Sequence, residues 1–272
     1  MAETSLPPTF RLQDGAAGDA AQLAVVLDQL DRFPGVQRLR AWAREALRLL
    51  PGQSIVDVGS GTGEELAALA VLVGRDGSAT GIEPHPGLRA EATRRAEESG
   101  STARFVDGEA YALPLESSTV DAVRCERVFQ HLDHPERAAT ELARVLRPGG
   151  RALVIDTDWA TSILHPGDPE VLAALNRSLP ARFPNPFSGR RLPGQLAAAG
   201  LDVVDSGSQA LIQDPSAVDG MLAPLTDAAV ATGVITETQR AQLEHDLRTG
   251  AGRGDFHFSV TMFAYLAVKP KS

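Results

Sequence analysis

Three glycines spaced by two residues have the clearest chemical meaning in this chain. Ile55–Val58 is a short, largely β-branched run that predicts a strand. The glycines that follow it directly are Gly59, Gly61 and Gly63, and Glu64 then opens a helical pattern. A strand, a tight turn and a helix start form the layout that binds a nucleotide-like cofactor.

The spacing of the glycines distinguishes between two kinds of cofactor. A dinucleotide site has the pattern G-x-G-x-x-G, so that a helix N-terminus meets a pyrophosphate. Here the third glycine comes one residue early, at Gly63, and Glu64 follows it. A carboxylate at that position would repel a pyrophosphate but not a cofactor without phosphates. We therefore expect a phosphate-free cofactor and disfavour a nicotinamide oxidoreductase.

The segments around this turn alternate between strand and helix patterns, which predicts a parallel sheet with helices on both faces. We expect strands at about 54–58, 78–83, 103–106, 120–125 and 151–156, and helices at about 64–73 and 86–98. A later helix should have Asp133 as its N-cap, with Pro135 in the first turn and Glu136 at capping-box spacing. A sixth strand should open at 201–204 and extend toward 212, and a long final strand should occupy 256–268.

The 272 residues exceed what this core requires, and the surplus predicts two further kinds of region. Residues 1–50 should form an N-terminal arm, over 1–18, and cap helices. Residues 51–272 should form the cofactor-binding domain, with acceptor-binding insertions at about 157–187 and 215–248. About thirty residues are too many for a bare connection in a compact domain, so we expect a lid or a substrate-binding region there.

Composition argues against several kinds of partner. The formal net charge is −9 and no basic stripe is visible, which disfavours a nucleic-acid partner. The apolar run Leu66–Val73 is too short to span a bilayer, and Met1–Phe10 does not resemble a signal peptide. Cys125 is the sole cysteine, and no Cys or His cluster has metal-ligand spacing. We expect a cytoplasmic protein with no metal, nucleic-acid or membrane partner; a monomer and a homodimer both stay open.

Four further motifs occur in the order found in one protein family. Gly81-Ile82-Glu83 places a carboxylate at the end of the second strand, 20 residues after Gly63. The others are Phe105–Gly108, Ala112–Val123 and Leu146–Gly150, which end the third strand, lead into the fourth and precede the fifth. With the glycine turn, these motifs resemble class I S-adenosylmethionine (SAM) dependent methyltransferases over about 20–157, and less closely over 188–272.

The resemblance implies a fold, a cofactor and a reaction. The fold would be α/β, with a Rossmann-like, seven-stranded, mostly parallel sheet, helices on both faces, an antiparallel last strand, and helical N-terminal and lid insertions. The cofactor would be S-adenosyl-L-methionine. Its methyl group would move by in-line displacement to O, N or C of a small, partly hydrophobic organic acceptor. Two alternatives stay open: a SAM-binding enzyme of this fold that does not transfer methyl, and a non-catalytic SAM-binding protein.

The resemblance also implies cofactor-binding roles. Glu83 would accept hydrogen bonds from the ribose hydroxyls; the alternative is that Glu83 is only a solvated strand end. Asp107 would accept a hydrogen bond from the adenine amino group; the alternative is that Asp107-Gly108 only forms a turn. Asp57 would either hold the cofactor's ammonium group or orient the turn. The other expected cofactor contacts are Gly59, Ser60, Gly61, Thr62, Gly63, Pro84, His85, Gly108, Glu109, Ala110, Glu126, Arg127 and Gln130.

Two residues are candidates for catalysis. His131 lies just past the fourth strand, near the expected methyl donor, where it would act as general base on an acceptor hydroxyl. The alternative for His131 is a helix-cap or packing role. Asp158 follows the fifth strand together with Asp156 and Trp159, and these three would shape the acceptor pocket.

Overall fold

A seven-stranded sheet forms the centre of the computed structural model, which describes residues 19–218 and 222–271. Its strands run in the order β3-β2-β1-β4-β5-β7-β6, and β7 is antiparallel to both of its neighbours. This confirms the predicted fold class. The predicted N-terminal arm, residues 1–18, lies outside the described residues. The strands are β1 (Ser54–Val58), β2 (Ser78–Ile82), β3 (Arg104–Val106), β4 (Val120–Glu126), β5 (Leu146–His165), β6 (Asp202–Gln213) and β7 (His257–Val268).

Helices pack on both faces of the sheet and beyond its end. Within the described ranges they are α1 (Ala20–Asp31), α2 (Pro34–Leu47), α3 (Glu64–Val73), α4 (Pro86–Ser99), α5 (Pro135–Val145), α6 (Pro169–Ser178), α7 (Ser188–Ala198), α8 (Ala223–Ala231) and α9 (Glu237–Arg253). Short 3₁₀ turns occupy Phe129–His131 and Leu179–Arg182. None of the helices in these ranges has both the length and the apolar character needed to cross a bilayer.

Side-chain alternation divides the sheet into two packed faces. On β1, Ile55 joins the core formed with α2 and α3, whereas Val56 and Val58 join the core formed with α5 and α7. On β4, Ala122 faces α2 and α3, and Val123 faces the other side. Because side chains alternate along a strand, the even-numbered residues of β4 and the odd-numbered residues of β1 share one face.

A third apolar core lies beyond the end of the sheet. The distal part of β5 and the start of β7 pair there, as Leu164 with Phe258, and α6, α8 and α9 pack around them. We call this region the lobe: α6, α8 and α9 with residues 159–165 and 257–260. Its core includes fully or nearly fully buried leucines, among them Leu175, Leu243 and Leu247.

The boundaries predicted for α5 and β5 are wrong. His134, not Asp133, is the N-cap of α5, since the helix begins at Pro135 and His134 makes no side-chain capping bond. The fifth strand begins at Leu146 rather than near 151, and it continues past 156 to His165 because β7 pairs with it there. Part of the predicted insertion at 157–187 is therefore strand.

Candidate functional site

A cavity lies at the carboxyl ends of β1, β2 and β4, the edge where ligands bind in open α/β sheets. The glycine turn after β1, the segment after β2 and the 3₁₀ turn after β4 form its walls. Helix α1 covers one side with Leu23, Leu27 and Leu30, and its Asp28 is paired with Arg95 of α4 at 2.7 Å.

The glycine turn needs glycine for its backbone and its packing. Gly59, Gly61 and Gly63 have φ values of +70°, +55° and +79°, which L side chains rarely adopt. A Cβ on Gly59 would overlap Val128, and one on Gly63 would overlap Phe105. The turn thus lies close against the protein itself, and Gly63 is not on the cavity wall.

Glu83 connects the end of β2 to the glycine turn. Its Oε2 accepts from the Gly61 N–H and its Oε1 from the His85 N–H, both at 2.9 Å. The side chain lines the cavity and is buried, and burial raises the pKa of Glu83 against the effect of these two hydrogen bonds. A buried carboxylate at this point can accept further hydrogen bonds from a ligand.

The segment after β3 reaches the cavity with the three residues that follow Asp107 and not with Asp107 itself. Gly108, Glu109 and Ala110 line the cavity, but Asp107 does not. The Asp107 carboxylate is exposed and pairs with Arg89 Nη1 at 2.8 Å. His85, which does line the cavity, accepts from Gly87 N at 3.1 Å and caps α4.

Charged side chains form the floor of the cavity, on the face shared by α2 and α3. Asp57 and Arg124 are register partners on β1 and β4, and Arg124 Nη1 donates to both Asp57 oxygens at 2.9 and 3.1 Å. Glu126 accepts from Arg124 and, at 2.9 Å to each oxygen, from Arg40 of α2. Each of these four residues has an exposed fraction of 7% or less.

The acids in this network respond differently to their surroundings. Burial would raise the pKa of Glu126, but Arg40, Arg124 and Arg127 hold it well below its usual value. Burial raises the pKa of Asp57 and of Glu65, and the nearby arginines only partly offset this. Glu126 is therefore the carboxylate most firmly kept ionised.

Several residues that line the cavity have a buried polar atom that lacks a hydrogen-bond partner among the described residues. They are Ser60 Oγ, Glu65 Oε1, Arg124 Nε and Arg127 Nη1. Unpaired buried polar atoms are uncommon in native proteins. The Glu83 carboxylate on the cavity wall fits a nucleoside-bearing cofactor, whose ribose hydroxyls can donate to it. In the described part of the chain, no group of three or more His, Cys, Asp or Glu residues could hold a metal ion.

The 3₁₀ turn after β4 brings His131 to the cavity wall. Asp156 Oδ2 accepts from Gln130 N at 2.9 Å, and Gln130 Oε1 accepts from Trp159 Nε1 at 2.7 Å. Beyond the cavity wall, the ring of Phe183 lies 6.2 Å from that of His131 and stacks on Trp159 at 4.3 Å.

The structure does not bring Asp158 to this cavity. Asp158 is fully buried, and its carboxylate accepts from Ala160 N at 3.1 Å and from the guanidinium of Arg190. Since β5 continues past it, Asp158 lies within the strand, opposite Thr261 of β7, and not at the strand's end.

Comparison with known proteins identifies the family. A family model described as a methyltransferase domain matches residues 56–154. An uncharacterised 37.1 kDa protein of transposon TN4556 from Streptomyces fradiae is 30% identical over 246 residues, 89% of this chain and 70% of that protein. The demethylmenaquinone methyltransferase of Bacillus mycoides is 29% identical over 140 residues, 50% of this chain and 59% of that enzyme.

This chain belongs to the class I SAM-dependent methyltransferase family.

Solved structures of low sequence identity share the fold. A SAM-dependent methyltransferase from Aquifex aeolicus superposes with a TM-score of 0.56 at 17% identity, over 93% of this chain and 99% of that one. The cyclase SpnF gives 0.56 at 21% identity, over 87% and 82%.

Most residues predicted to surround the methyltransferase cofactor do line one cavity. They are Asp57, Gly59, Ser60, Gly61, Thr62, Glu83, Pro84, His85, Gly108, Glu109, Ala110, Glu126, Arg127, Gln130 and the candidate base His131. Gly63, Asp107 and Asp158 are not on its wall. Their binding and catalytic roles stay predictions.

Sequence reasoning did not assign the other residues that line the cavity, namely Leu23, Leu27, Leu30, Asp31, Arg40, Val58, Glu64, Glu65, Leu88, Tyr111, Arg124, Val128, Leu132 and Asp133. For one of them, Arg124, the sequence does predict a buried partner. Arg124 stands inside an apolar strand, and a buried charge requires a partner on a neighbouring element. The acid at Asp57 on the adjacent predicted strand could have identified that pair.

Proposed function

We propose that this chain transfers the methyl group of SAM to a small, partly hydrophobic organic acceptor. The observation that carries the proposal is the position of Glu83. Its buried carboxylate lines the same cavity as the glycine turn and is bonded to the Gly61 N–H at 2.9 Å. An acid at the end of the second strand, beside such a turn, suits a pair of ribose hydroxyls.

The chain's own residues supply binding and alignment in this proposal. SAM, when bound, supplies an electrophilic sulfonium methyl group, so that bringing donor and acceptor together is most of the catalytic task. Glu83 would hold the ribose and the backbone of residues 108–110 the adenine edge. Asp107, exposed and paired with Arg89, is a weaker contact than that backbone.

His131 is the candidate general base. It lines the cavity, and Phe183 from the segment before α7 lies beside its ring. A hydroxyl acceptor bound in the cavity would meet the imidazole of His131 on the wall, while Phe183 packs beside that ring from outside the cavity. Because a relative methylates demethylmenaquinone, ring compounds with an acidic hydroxyl or carbon are the first acceptors to test.

Binding of S-adenosylhomocysteine tests the cofactor assignment. Glu83→Ala should weaken binding by about 1–3 kcal/mol, the usual loss for a charge-assisted hydrogen bond. Isothermal titration calorimetry measures this, with Glu97→Ala as the control because Glu97 is exposed on α4 and away from the cavity. Equal affinity of the Glu83 variant and the wild type would contradict the ribose assignment.

Methyl-labelled SAM with a panel of acceptors tests the reaction. We expect a labelled product with at least one ring compound, and His131→Ala should lower turnover far more than the affinity for S-adenosylhomocysteine. Tight cofactor binding with no labelled product from any acceptor would favour a SAM-binding enzyme that does not transfer methyl.

A further inference from the structure

The 3₁₀ turn after β4 is fixed at its middle residue, Gln130. This residue is 5% exposed, and each of its backbone and side-chain polar groups has a partner within the protein. The backbone N donates to Asp156 Oδ2 at 2.9 Å, and the backbone O accepts from Asn185 N at 3.1 Å. In the side chain, Nε2 donates to Arg127 O at 3.3 Å and Oε1 accepts from Trp159 Nε1 at 2.7 Å. The protein therefore holds this amide at both ends.

Trp159 supports the same turn a second time, through its ring. The indole stacks on Phe183 with ring centroids 4.3 Å apart and an interplanar angle of 9°. The ring of Phe183 packs in turn against the imidazole of His131, at 6.2 Å and 54°. One tryptophan thus bonds the residue next to the imidazole and also supports the imidazole itself through an intervening ring.

Trp159 does not reach the cavity. Trp159 and Phe183 are not on its wall, whereas Gln130 and His131 are. The backbone N of Trp159 donates to Pro186 O at 3.0 Å, which fixes the tryptophan from the side away from the turn. Trp159 cannot touch a ligand in the cavity, so it acts on one only through the turn.

We infer that Trp159 is a positioning residue for methyl transfer, which holds the imidazole of His131 at the cavity wall. It does so through the hydrogen bond to Gln130 and the contact with Phe183. The inference rests on the proposed function, since it assumes that His131 is the general base. A base acts only within hydrogen-bond reach of the proton that it removes, so a small displacement of its ring lowers turnover.

Three substitutions separate the hydrogen bond from the ring contact. Trp159→Phe keeps an aromatic ring and removes the N–H donor, Gln130→Met removes the acceptor, and Phe183→Leu removes the intervening ring. The matched control is Trp42→Phe at the chain's other tryptophan. Trp42 is also partly buried, but it lies over Gly207 of β6 and is not on the cavity wall.

Proton NMR observes the imidazole without any need for turnover. The His131 signal is the one that is absent from the spectrum of His131→Ala. Trp159→Phe and Phe183→Leu should each shift this signal, because the ring packed beside the imidazole moves or is lost. Trp42→Phe should leave it unchanged.

Turnover should fall more than binding. Trp159→Phe should lower kcat about tenfold for transfer from methyl-labelled SAM to naphthohydroquinone, a ring compound with acidic hydroxyls, because the base is displaced. The dissociation constant of S-adenosylhomocysteine, from calorimetry, should change less than about threefold. Gln130→Met should act similarly, and the double variant should lose no more than the larger single loss, since both substitutions remove the same hydrogen bond. Trp42→Phe should change neither quantity.

Several outcomes would overturn the inference. An unshifted His131 signal with wild-type kcat in Trp159→Phe would show that Trp159 does not position the base. A loss of S-adenosylhomocysteine affinity as large as the loss of kcat would show that Trp159 supports the whole cavity. Wild-type turnover in His131→Ala would remove the base on which the inference depends, although the cofactor assignment would stand.

Failure of the proposed function has a different signature. The wild type would then bind no S-adenosylhomocysteine and yield no labelled product. The NMR comparison would still decide whether Trp159 holds the imidazole of His131, because it needs neither cofactor nor acceptor.

Discussion

The cofactor edge of the sheet and the lobe are both well buried, but by different means. At the cofactor edge, buried side chains of β1 and β4 are charged. They pair with each other, as in Asp57–Arg124, and with α2, as in Glu126–Arg40. The lobe instead has an apolar core, with Leu175, Leu243 and Leu247 at its centre. At the cofactor edge, the same charged groups therefore stabilise the fold and form the site, whereas the lobe is stabilised by residues away from the cavity.

Hydrogen bonds connect the 3₁₀ turn after β4 to the lobe and to the segment that precedes α7. Asn185, which precedes α7, donates from its backbone N to Gln130 O at 3.1 Å and from its Nδ2 to Phe129 O at 3.2 Å. Trp159 donates to Gln130 Oε1 at 2.7 Å. The turn that carries His131 is therefore the place where a change in the lobe would reach the cofactor edge.

The largest effect should follow Arg124→Ala. Removing this guanidinium leaves Asp57 and Glu126 buried with one partner fewer, which typically costs about 3–5 kcal/mol of unfolding free energy. Urea unfolding measures the loss. Arg94→Ala is the control, because Arg94 pairs with Glu91 and Glu98 on the exposed face of α4, and water screens such pairs. A loss no greater than that of Arg94→Ala would mean that the network does not stabilise the fold.

Leu247→Ala should separate stability from binding. Leu247 is fully buried in the lobe core, so its truncation should cost about 2–5 kcal/mol. The affinity for S-adenosylhomocysteine, measured under conditions where the variant is folded, should stay within about twofold of the wild type, since Leu247 belongs to the lobe core and is not on the cavity wall. Leu66→Ala, an equally buried leucine of α3, should lower both stability and affinity. Equal loss of affinity in the two variants would remove the distinction between the regions.

A pH-dependent effect is expected at Asp156. Burial raises the pKa of Asp156 from 3.8 to about 7, although Thr157 N and Gln130 N donate to it. The folded protein thus holds this proton more tightly than the unfolded chain does, and the group's contribution to stability, full below about pH 4, is lost as the pH rises through about 7. Between about pH 5 and pH 8, the wild type should lose about 2 kcal/mol more than Asp156→Asn, as judged by urea unfolding. Parallel pH profiles would contradict the shifted pKa.

The smallest effect should follow Asn185→Ala, which removes the Nδ2 bond to Phe129 O. We expect a loss of about 1 kcal/mol in stability and a modest fall in affinity for S-adenosylhomocysteine, because the turn beside the cavity loses one tether. Asn176→Ala is the matched variant, since the side chain of Asn176 on α6 accepts a hydrogen bond from Ser162 Oγ and has no other side-chain hydrogen bond among the described residues. It should leave the affinity unchanged, and a fall as large as that of Asn185→Ala would show that coupling is not confined to this turn.

The sequence predicted the cofactor edge well because its signals are local. The strand 54–58 and the helix 64–73 have the predicted bounds, since a β-branched run and glycines at positive φ specify a strand and a turn without help from distant residues. The acid at Glu83 was found for the same reason, at a fixed distance after the turn.

The features that the sequence did not predict, namely the length of β5 and the charged floor of the cavity, depend on contacts between distant segments. The length of β5 depends on its pairing with β7, in which Leu164 lies opposite Phe258 from much later in the chain. The local sequence pattern does not show this pairing. The prediction therefore ended the strand near 156 and placed Asp158 in the cleft. The charged floor depends on the register of Asp57 with Arg124 and on the docking of α2. Neither is visible in a hydrophobic pattern.

The position of β7 has a consequence for biosynthesis. Although it comes last of the seven strands along the chain, it lies inside the sheet, hydrogen-bonded to β5 on one side and β6 on the other. While the ribosome is still adding residues before His257, two long strands each lack a neighbour, and unpaired edges are the surfaces through which nascent polypeptides aggregate. Premature termination ahead of that point would therefore yield an insoluble product even though every segment of the cofactor edge had already been translated.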